Sequence, residues 1–429
     1  MSAPTQDTLA ELPNGVRVVT LPMPQLQTAA VSVFVRSGSA HESRPLSGIG
    51  HVIEHMVFKG TDDGTTRRDA RRINLDAERL GAEVNAHTDK DHTAFHMRGL
   101  AADVPTFVRM LGELVLHPAF PAHELEHERE VLLQEFAETE DDPMAIAFQL
   151  FDKACFGLHP VAQPVIGSRR NIERFTRDDL AGHVKRQYSG ANIVVAAAGA
   201  VDAMAVQREA EALFGKVPRG TPNAAAAAAW IGGTRARRLA GSSQAHVVLG
   251  FPIPTLAAQD PASVVAAAVL GEGMSSPLMD QVREQRGLAY YTACSADVLD
   301  VCGQFVIEAS TATDKLDELL RVVAQLLRQH AGHVDPVDLD RARHQLAVRC
   351  ARDQDRPMRR LEDAAMQVFV HGRLLAPTAW QARLQAVTAE AVSAVFQRML
   401  AAKPSLAVTG KLGRATSEHL RDTVASALA

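Results

Sequence analysis

The stretch Ser47–Gly60, SGIGHVIEHMVFKG, is the one around which the rest of the chain can be ordered. Ile49, Val52, Ile53, Met56, Val57 and Phe58 recur at helical spacing behind Gly48 and Gly50, so a helix with one apolar face is expected. On that helix His51 and His55 are i and i+4, and both imidazoles project from one face, a turn apart. Two neutral ring nitrogens so placed can reach one zinc ion, about 2 Å from each. Glu54 lies near the same face, where it can take a proton from a water at the metal rather than bind the metal itself. Two histidines leave the set incomplete, because catalytic zinc usually takes three protein ligands and keeps a fourth position open. The competing reading is a helix with two satisfied core histidines, since 17 histidines give many chances for a five-residue match.

At 429 residues the chain exceeds one ordinary core, and two or more domains are expected. Hydrophobic residues at 46% and charged residues at 22% are those of a soluble globular protein. A formal net charge of −5 supplies no whole-chain attraction to nucleic acid or to an anionic membrane. Cys155, Cys294, Cys302 and Cys350 lie far apart with no C-x-x-C pair, which argues against a disulfide framework or a cysteine zinc site. The start, MSAPTQDTLAELPNG, has no basic region followed by an apolar core, and no apolar run approaches the roughly 20 residues of a membrane span. A cytoplasmic location is therefore expected.

Strands are expected at Val16–Leu21 and Ala29–Arg36, then the histidine helix, a helix at Asp69–Leu80, and a hairpin formed by Glu83–His87 and Thr93–Met97. Helices at Val104–Leu116 and Ala122–Glu140 follow, the second heavily acidic; Asn192–Ala198 reads as a buried strand and Ala203–Phe214 as a helix. Residues 219–238, with Gly220, Pro222, an alanine run and two more glycines, read as a linker between domains at 1–218 and 239–429. Beyond it the order restarts, with a strand at His246–Phe251, a helix at Pro261–Leu270, a hairpin of Ala289–Ala296 and Gln304–Ser310, and helices at Lys315–His330 and Val337–Ala351. The halves read as two copies of one α/β unit, of which only the first keeps the histidine pair.

A carboxylate would complete the metal set, and the acidic helix offers several. Glu128 and Glu135 are two turns apart and share a face, and Glu135 is the one most embedded in apolar sequence, between Val131, Leu132, Leu133 and Phe136. A carboxylate in that setting needs a partner, which a metal would supply.

GIGHVIEHMVFKGT followed by EREVLLQEFAETEDDP resembles the zinc peptidases of the pitrilysin and insulinase type, whose H-x-x-E-H order inverts the zincin motif. The nearest likeness is to half-length bacterial members related to the mitochondrial processing peptidase β-subunit. LPNGVRVVTLPMP, GAEVNAHTDKDHTAFHM and SPLMDQVREQRGLAYY resemble further family blocks, so the likeness spans nearly the whole chain. The resemblance implies an α+β fold of two homologous α/β sandwich domains, with mixed, largely antiparallel sheets and packed helices, forming half of a clamshell. It implies one zinc per chain on His51, His55 and Glu135, with Glu138 the alternative third ligand, Glu54 as base and Glu128 as supporting carboxylate. It also implies that Arg283 and Tyr290 bind substrate and that the tyrosine stabilises the reacting carbonyl, Tyr291 being the competitor, and that Asn85 lies on a strand that pairs with extended peptide.

The activity implied is zinc-dependent endopeptidase hydrolysis of peptides or unfolded segments within an enclosed dimer chamber. A homodimer is expected because both the zinc motif and the arginine–tyrosine block are present, with a heterodimer with a paralogous chain as the alternative. The other readings are a non-catalytic assembly or scaffold subunit, half of a heterodimeric peptidase dependent on an inactive partner, and a zinc-binding peptide binder without hydrolysis.

Overall fold

The structure is a computed structural model that describes residues 6–412 and 417–428. The first half contains strands β1 (Thr8–Glu11), β2 (Arg17–Pro22) and β3 (Thr28–Val35), then helix α1 (Ile49–Val57). A small hairpin, β4 (Gly60–Asp62) and β5 (Arg67–Asp69), leads to α2 (Ala70–Arg79), β6 (Glu83–Thr88) and β7 (Thr93–Leu100). Next come α3 (Val104–Leu116), α4 (Ala122–Asp141), α5 (Pro143–Phe156), α6 (Arg169–Arg174), α7 (Arg177–Gln187), β8 (Ile193–Gly199) and α8 (Ala203–Phe214). The second half holds β9 (Gly233–Arg238), β10 (Ala245–Pro252), α9 (Pro261–Gly271), and α10 (Pro277–Met279) running into a π-helical turn at Asp280–Glu284. It continues with β11 (Ala289–Val298), β12 (Gly303–Thr311), α11 (Leu316–Gly332), α12 (Pro336–Gln354), α13 (Pro357–His371), α14 (Pro377–Gln385), α15 (Ala389–Ala401), β13 (Ser405–Gly410) and α16 (Ser417–Leu428).

The strand orders carry the repeat. The first sheet runs β1-β2-β8-β3-β7-β6 and the second β11-β12-β10-β13-β9. Matching β3 with β10, β7 with β12, β6 with β11, β8 with β13 and β2 with β9 superposes one order on the other. The pairing directions agree too, because β2–β8 and β13–β9 are the parallel pairs and the other matched pairs are antiparallel. The fold is α+β with two mixed, largely antiparallel sheets, as expected.

Alternation decides what each sheet face touches. On β3, Val31, Val33 and Val35 enter the core shared with α1, α3 and α8, whereas Ala30 and Phe34 point to the other face. That other face is covered by α13 through Leu361, Ala364, Ala365, Val368 and Phe369. Because both faces are buried, the central strands read as nearly continuous apolar runs rather than alternating ones.

The two compact units differ from the expected cut at residues 219–238. The first comprises Met1–Phe136, Gln163–Ala225 and Asp353–Leu375; the second comprises Ala137–Ala162, Ala226–Arg352 and Ala376–Ala429. Thus α5, from the first half of the sequence, belongs to the second unit, and α13, from the second half, to the first. Gly250 on β10 records the first of these placements, since a Cβ there would stand 2.5 Å from the ring of Phe151 on α5. Residues 233–238, read as linker, are β9, an edge strand paired in parallel with β13. Helical periodicity shows which face of a helix is apolar but not which sheet it will meet, so this placement was not legible.

It has a measurable consequence. Leu361 is fully buried against the first sheet, and Leu361→Ala is expected to cost about 2–5 kcal/mol of that unit's stability, read by denaturant unfolding. An unaltered midpoint would contradict the packing.

A pH dependence follows from α7. His183 is buried with its Nε2 3.3 Å from the Ser37 hydroxyl, and burial, with Arg186 and His41 nearby, pushes its pKa down to about 4. The neutral ring fits the fold, so its contribution is complete above the unfolded value of about 6.5 and is lost as pH falls toward 4. By pH 5 the loss is about 2 kcal/mol. His183→Asn should lessen the drop in unfolding free energy between pH 7 and pH 5 by roughly that amount; an equal drop in both proteins would exclude His183 as its source.

Candidate active site

The helix that carries the histidines is held at its start by a buried carboxylate. Helix N-termini leave backbone N–H groups without partners. Glu42, only 2% exposed, accepts from the N–H of Gly48 at 2.7 Å and of Gly50 at 2.8 Å, one to each oxygen. Burial pushes the Glu42 carboxyl up to about 7, against the two N–H groups that favour its charge. Gly48 caps the helix at φ +95°, and a Cβ on it would meet the backbone of Gly167 at 2.8 Å, so only glycine fits. Ile49, Val52, Ile53, Met56 and Val57 then turn into the core. His51, Glu54 and His55 remain on the less buried face.

Helix α4 brings the carboxylates. Leu125 and Leu132 anchor it in the core, and the Arg129 guanidinium donates to the backbone carbonyls of Ile172 and Phe175. Glu135 Oε1 lies 3.5 Å from His51 Nε2, and Glu135 Oε2 lies 3.6 Å from His55 Nε2. The two imidazole centroids are 4.8 Å apart. Bonds of roughly 2 Å to a tetrahedral zinc put ligand atoms about 3.3 Å apart, so the observed separations suit one ion between them. Among the described residues, His51, His55 and Glu135 are the group whose ligand atoms all lie within 4.8 Å of one another. Glu138 is not part of it.

The protonation states fit a metal site. Burial, with His55 beside it, lowers the His51 pKa to about 4, so its ring is neutral near pH 7. His55 donates its Nδ1–H to Glu128 Oε2 at 3.1 Å if it is to keep Nε2 bare for a metal. Glu128 itself is buried and pairs through its other oxygen with Lys59. Glu54, largely buried, has its carboxyl raised by that burial, an effect opposed by Thr88 and His55. The cluster thus holds two imidazole nitrogens, a carboxylate facing both, and a second carboxylate next to them with raised proton affinity. Such a set of donors suits a single zinc ion.

The other expected residues stand as follows. Asn85 is exposed on β6, which among the described residues is an edge strand paired with β7, and its side-chain oxygen accepts from the N–H of Ala86. Within the second unit, the Arg283 guanidinium lies 5.2 Å above the ring of Tyr290, which is 80% exposed. Both sit on irregular backbone, Arg283 in the π-helical turn and Tyr290 at a bulge in the β11–β12 pairing. Tyr291 donates its hydroxyl to Glu308 at 2.7 Å. That engagement separates the two tyrosines and leaves Tyr290 the better candidate for substrate.

Sequence reasoning missed Glu42 and Lys59. Lys59 had a signal, since it lies four residues after His55. It also passed over His123–His127, HELEH, which satisfies both the H-x-x-E-H and the H-E-x-x-H pattern at the start of α4. There the His123 side chain is 73% exposed and no third ligand joins the pair among the described residues. Motif strings alone do not mark a site.

Residues 17–169 match the family model described as insulinase (peptidase family M16), and residues 174–346 match that of the peptidase M16 inactive domain. An uncharacterized zinc protease of Streptomyces coelicolor is 33% identical, covering 96% of this chain and 92% of its own. Among solved structures, the peptidase M16 inactive domain from Pseudomonas fluorescens aligns with a TM-score of 0.86 at 21% identity, over 95% of this chain and 98% of that one. A protease from Helicobacter pylori aligns with a TM-score of 0.85 at 20% identity, over 94% and 99%. These two likenesses are of fold. No helix among the described residues is long and apolar enough to cross a membrane.

Proposed function

The chain belongs to the insulinase family of peptidases, M16, and on that premise we propose that it is a zinc-dependent endopeptidase acting on peptides or unfolded segments. The observation that carries the reading is the convergence of His51, His55 and Glu135 within 4.8 Å beside Glu54. The match to an inactive-domain model falls on residues 174–346, the half without the histidine pair, and so does not weigh against it.

His51, His55 and Glu135 would hold one zinc per chain, which when bound supplies Lewis-acid chemistry, polarising the scissile carbonyl and lowering the pKa of water toward 7. Glu54 accepts the proton of the attacking water and returns it to the leaving amine, the work of one group acting as base and then as acid. Glu128 fixes the His55 ring by accepting from Nδ1–H. The free edge of β6, with Asn85, offers backbone groups to an extended peptide by strand addition. Arg283 and Tyr290 act on substrate, Arg283 on its backbone or terminus and Tyr290 by a hydrogen bond to the carbonyl oxygen as charge develops there.

The working unit is a homodimer enclosing a chamber, with a paralogous partner as the alternative; sizing against the 46.2 kDa chain decides, and an active monomer would overturn the chamber. The hydrolysis itself is tested with an unstructured peptide mixture. Cleavage that stops when metal is stripped by a chelator and returns with zinc is the expected result, and cleavage that survives stripping would overturn it.

A further inference from the structure

We propose that Lys59 is a positioning residue of the zinc site, holding one oxygen of Glu128 so that the other stays on His55 and turns the His55 Nε2 toward the metal. The inference rests on the zinc-peptidase reading and adds a residue to it.

Lys59 lies just beyond the end of α1, its N–H bonded to the carbonyl of Met56, and its ammonium reaches across to α4. Glu128 divides its two oxygens, Oε1 standing 2.5 Å from Lys59 Nζ and Oε2 3.1 Å from His55 Nδ1. The arrangement is therefore a chain of three groups, lysine to carboxylate to imidazole, ending at a ring whose far nitrogen lies 3.6 Å from Glu135. Each link constrains the next. A carboxylate held at one oxygen by a full positive charge cannot swing away from the ring, and a ring held at Nδ1 presents only Nε2.

The histidines are supported unequally. His51 Nδ1 is buried with no hydrogen-bond partner among the described residues, so no carboxylate steadies it there as Glu128 steadies Nδ1 of His55. The hydrogen-bonded support of the pair passes through Glu128 to His55. Removing the group that steadies Glu128 should therefore be felt by the metal.

Charge points the same way. Glu54, Glu128 and Glu135 put three carboxylates around the end of one helix, and Glu128 is the most deeply buried of them. A buried carboxylate needs a compensating charge as well as hydrogen bonds. Lys59, one quarter exposed, supplies that charge without entering the metal set. A dication, three carboxylates and one ammonium together leave the site neutral. The bland alternative is a salt bridge that merely ties the end of α1 to α4.

The test uses the full chain as wild type, Lys59→Met, Lys59→Arg, Glu128→Gln and the Lys59→Met/Glu128→Gln double variant. Zinc dissociation constants are measured by competition with a chelator, beside the melting of each metal-free protein. Lys59→Met should weaken zinc binding about ten-fold or more, the usual effect of losing a group that supports a ligand. Lys59→Arg should restore most of it, and the double variant should bind no more weakly than Glu128→Gln alone. Wild-type affinity in Lys59→Met, or an arginine variant as weak as the methionine one, would overturn the inference, as would a double variant showing the product of both losses. A lowered metal-free melting temperature with unchanged zinc affinity would assign Lys59 the bland role. Wild-type protein that takes up no zinc would overturn the peptidase reading itself, and Lys59's role with it.

Discussion

Glu54→Gln is expected to lower kcat/KM for peptide hydrolysis by about 10³-fold while leaving the zinc content unchanged. Three powers of ten correspond to about 4 kcal/mol of transition-state stabilisation. Glutamine matches glutamate in size, so the contact with Thr88 is kept, but an amide cannot take a proton from water. His51, His55 and Glu135 are untouched by the change, and among the described residues they make up the close ligand cluster. Loss of activity with full metal would therefore isolate the proton transfer. Wild-type turnover in this variant would place the base elsewhere.

Glu135→Gln should fail earlier, at the metal. The carboxylate faces both histidine Nε2 atoms, at 3.5 and 3.6 Å, and a neutral amide offers a much poorer ligand to a dication. Groups that only support a ligand typically cost 10–100-fold in metal affinity when removed, so loss of a ligand should cost more than about 100-fold. The same variant should lose most of the zinc-dependent rise in melting temperature. Metal bound only to the folded state stabilises it by about 4 kcal/mol at a thousand times its dissociation constant. An undiminished zinc response in Glu135→Gln would remove Glu135 from the ligand set and reopen the choice among the acidic residues of α4.

What could be read in advance divides by the range of the signal. The bounds of α3 and α8 were legible to the residue, because Val104–Leu116 and Ala203–Phe214 carry both their apolar periodicity and their end signals locally. The helix bearing His51 and His55 was legible for the same reason; Glu128 and Glu135 share a face by their two-turn spacing, but their roles came from the family resemblance, with Glu138 left as the alternative to Glu135. The repeat was legible as an order of elements, and the matched strand orders of the two sheets bear it out. The destinations of α5 and α13 were not, since the partner of an apolar face lies hundreds of residues away and leaves no local trace. β9, with the sequence GTRARR, looked like a linker because an exposed edge strand has little to bury. Tyr290 and Tyr291 could be told apart only once Glu308 was seen to engage the second.

The same division holds within the site. Two of the proposed ligands, His51 and His55, and the proposed base Glu54 sit in one recognisable string, whereas Glu42 and Lys59 make contacts that the fold creates. Glu42 reaches helix N–H groups six and eight residues ahead, and Lys59 meets a carboxylate on another helix. Their residue types were visible; their partners were not.

The most direct measurement is cleavage of a mixed, unstructured peptide library by the purified wild-type chain, with bound metal counted in the same sample. Cleavage accompanied by close to one zinc per chain is the predicted result. A full zinc complement with no cleavage of any peptide would contradict the account and point to a metal-binding scaffold or a missing partner chain.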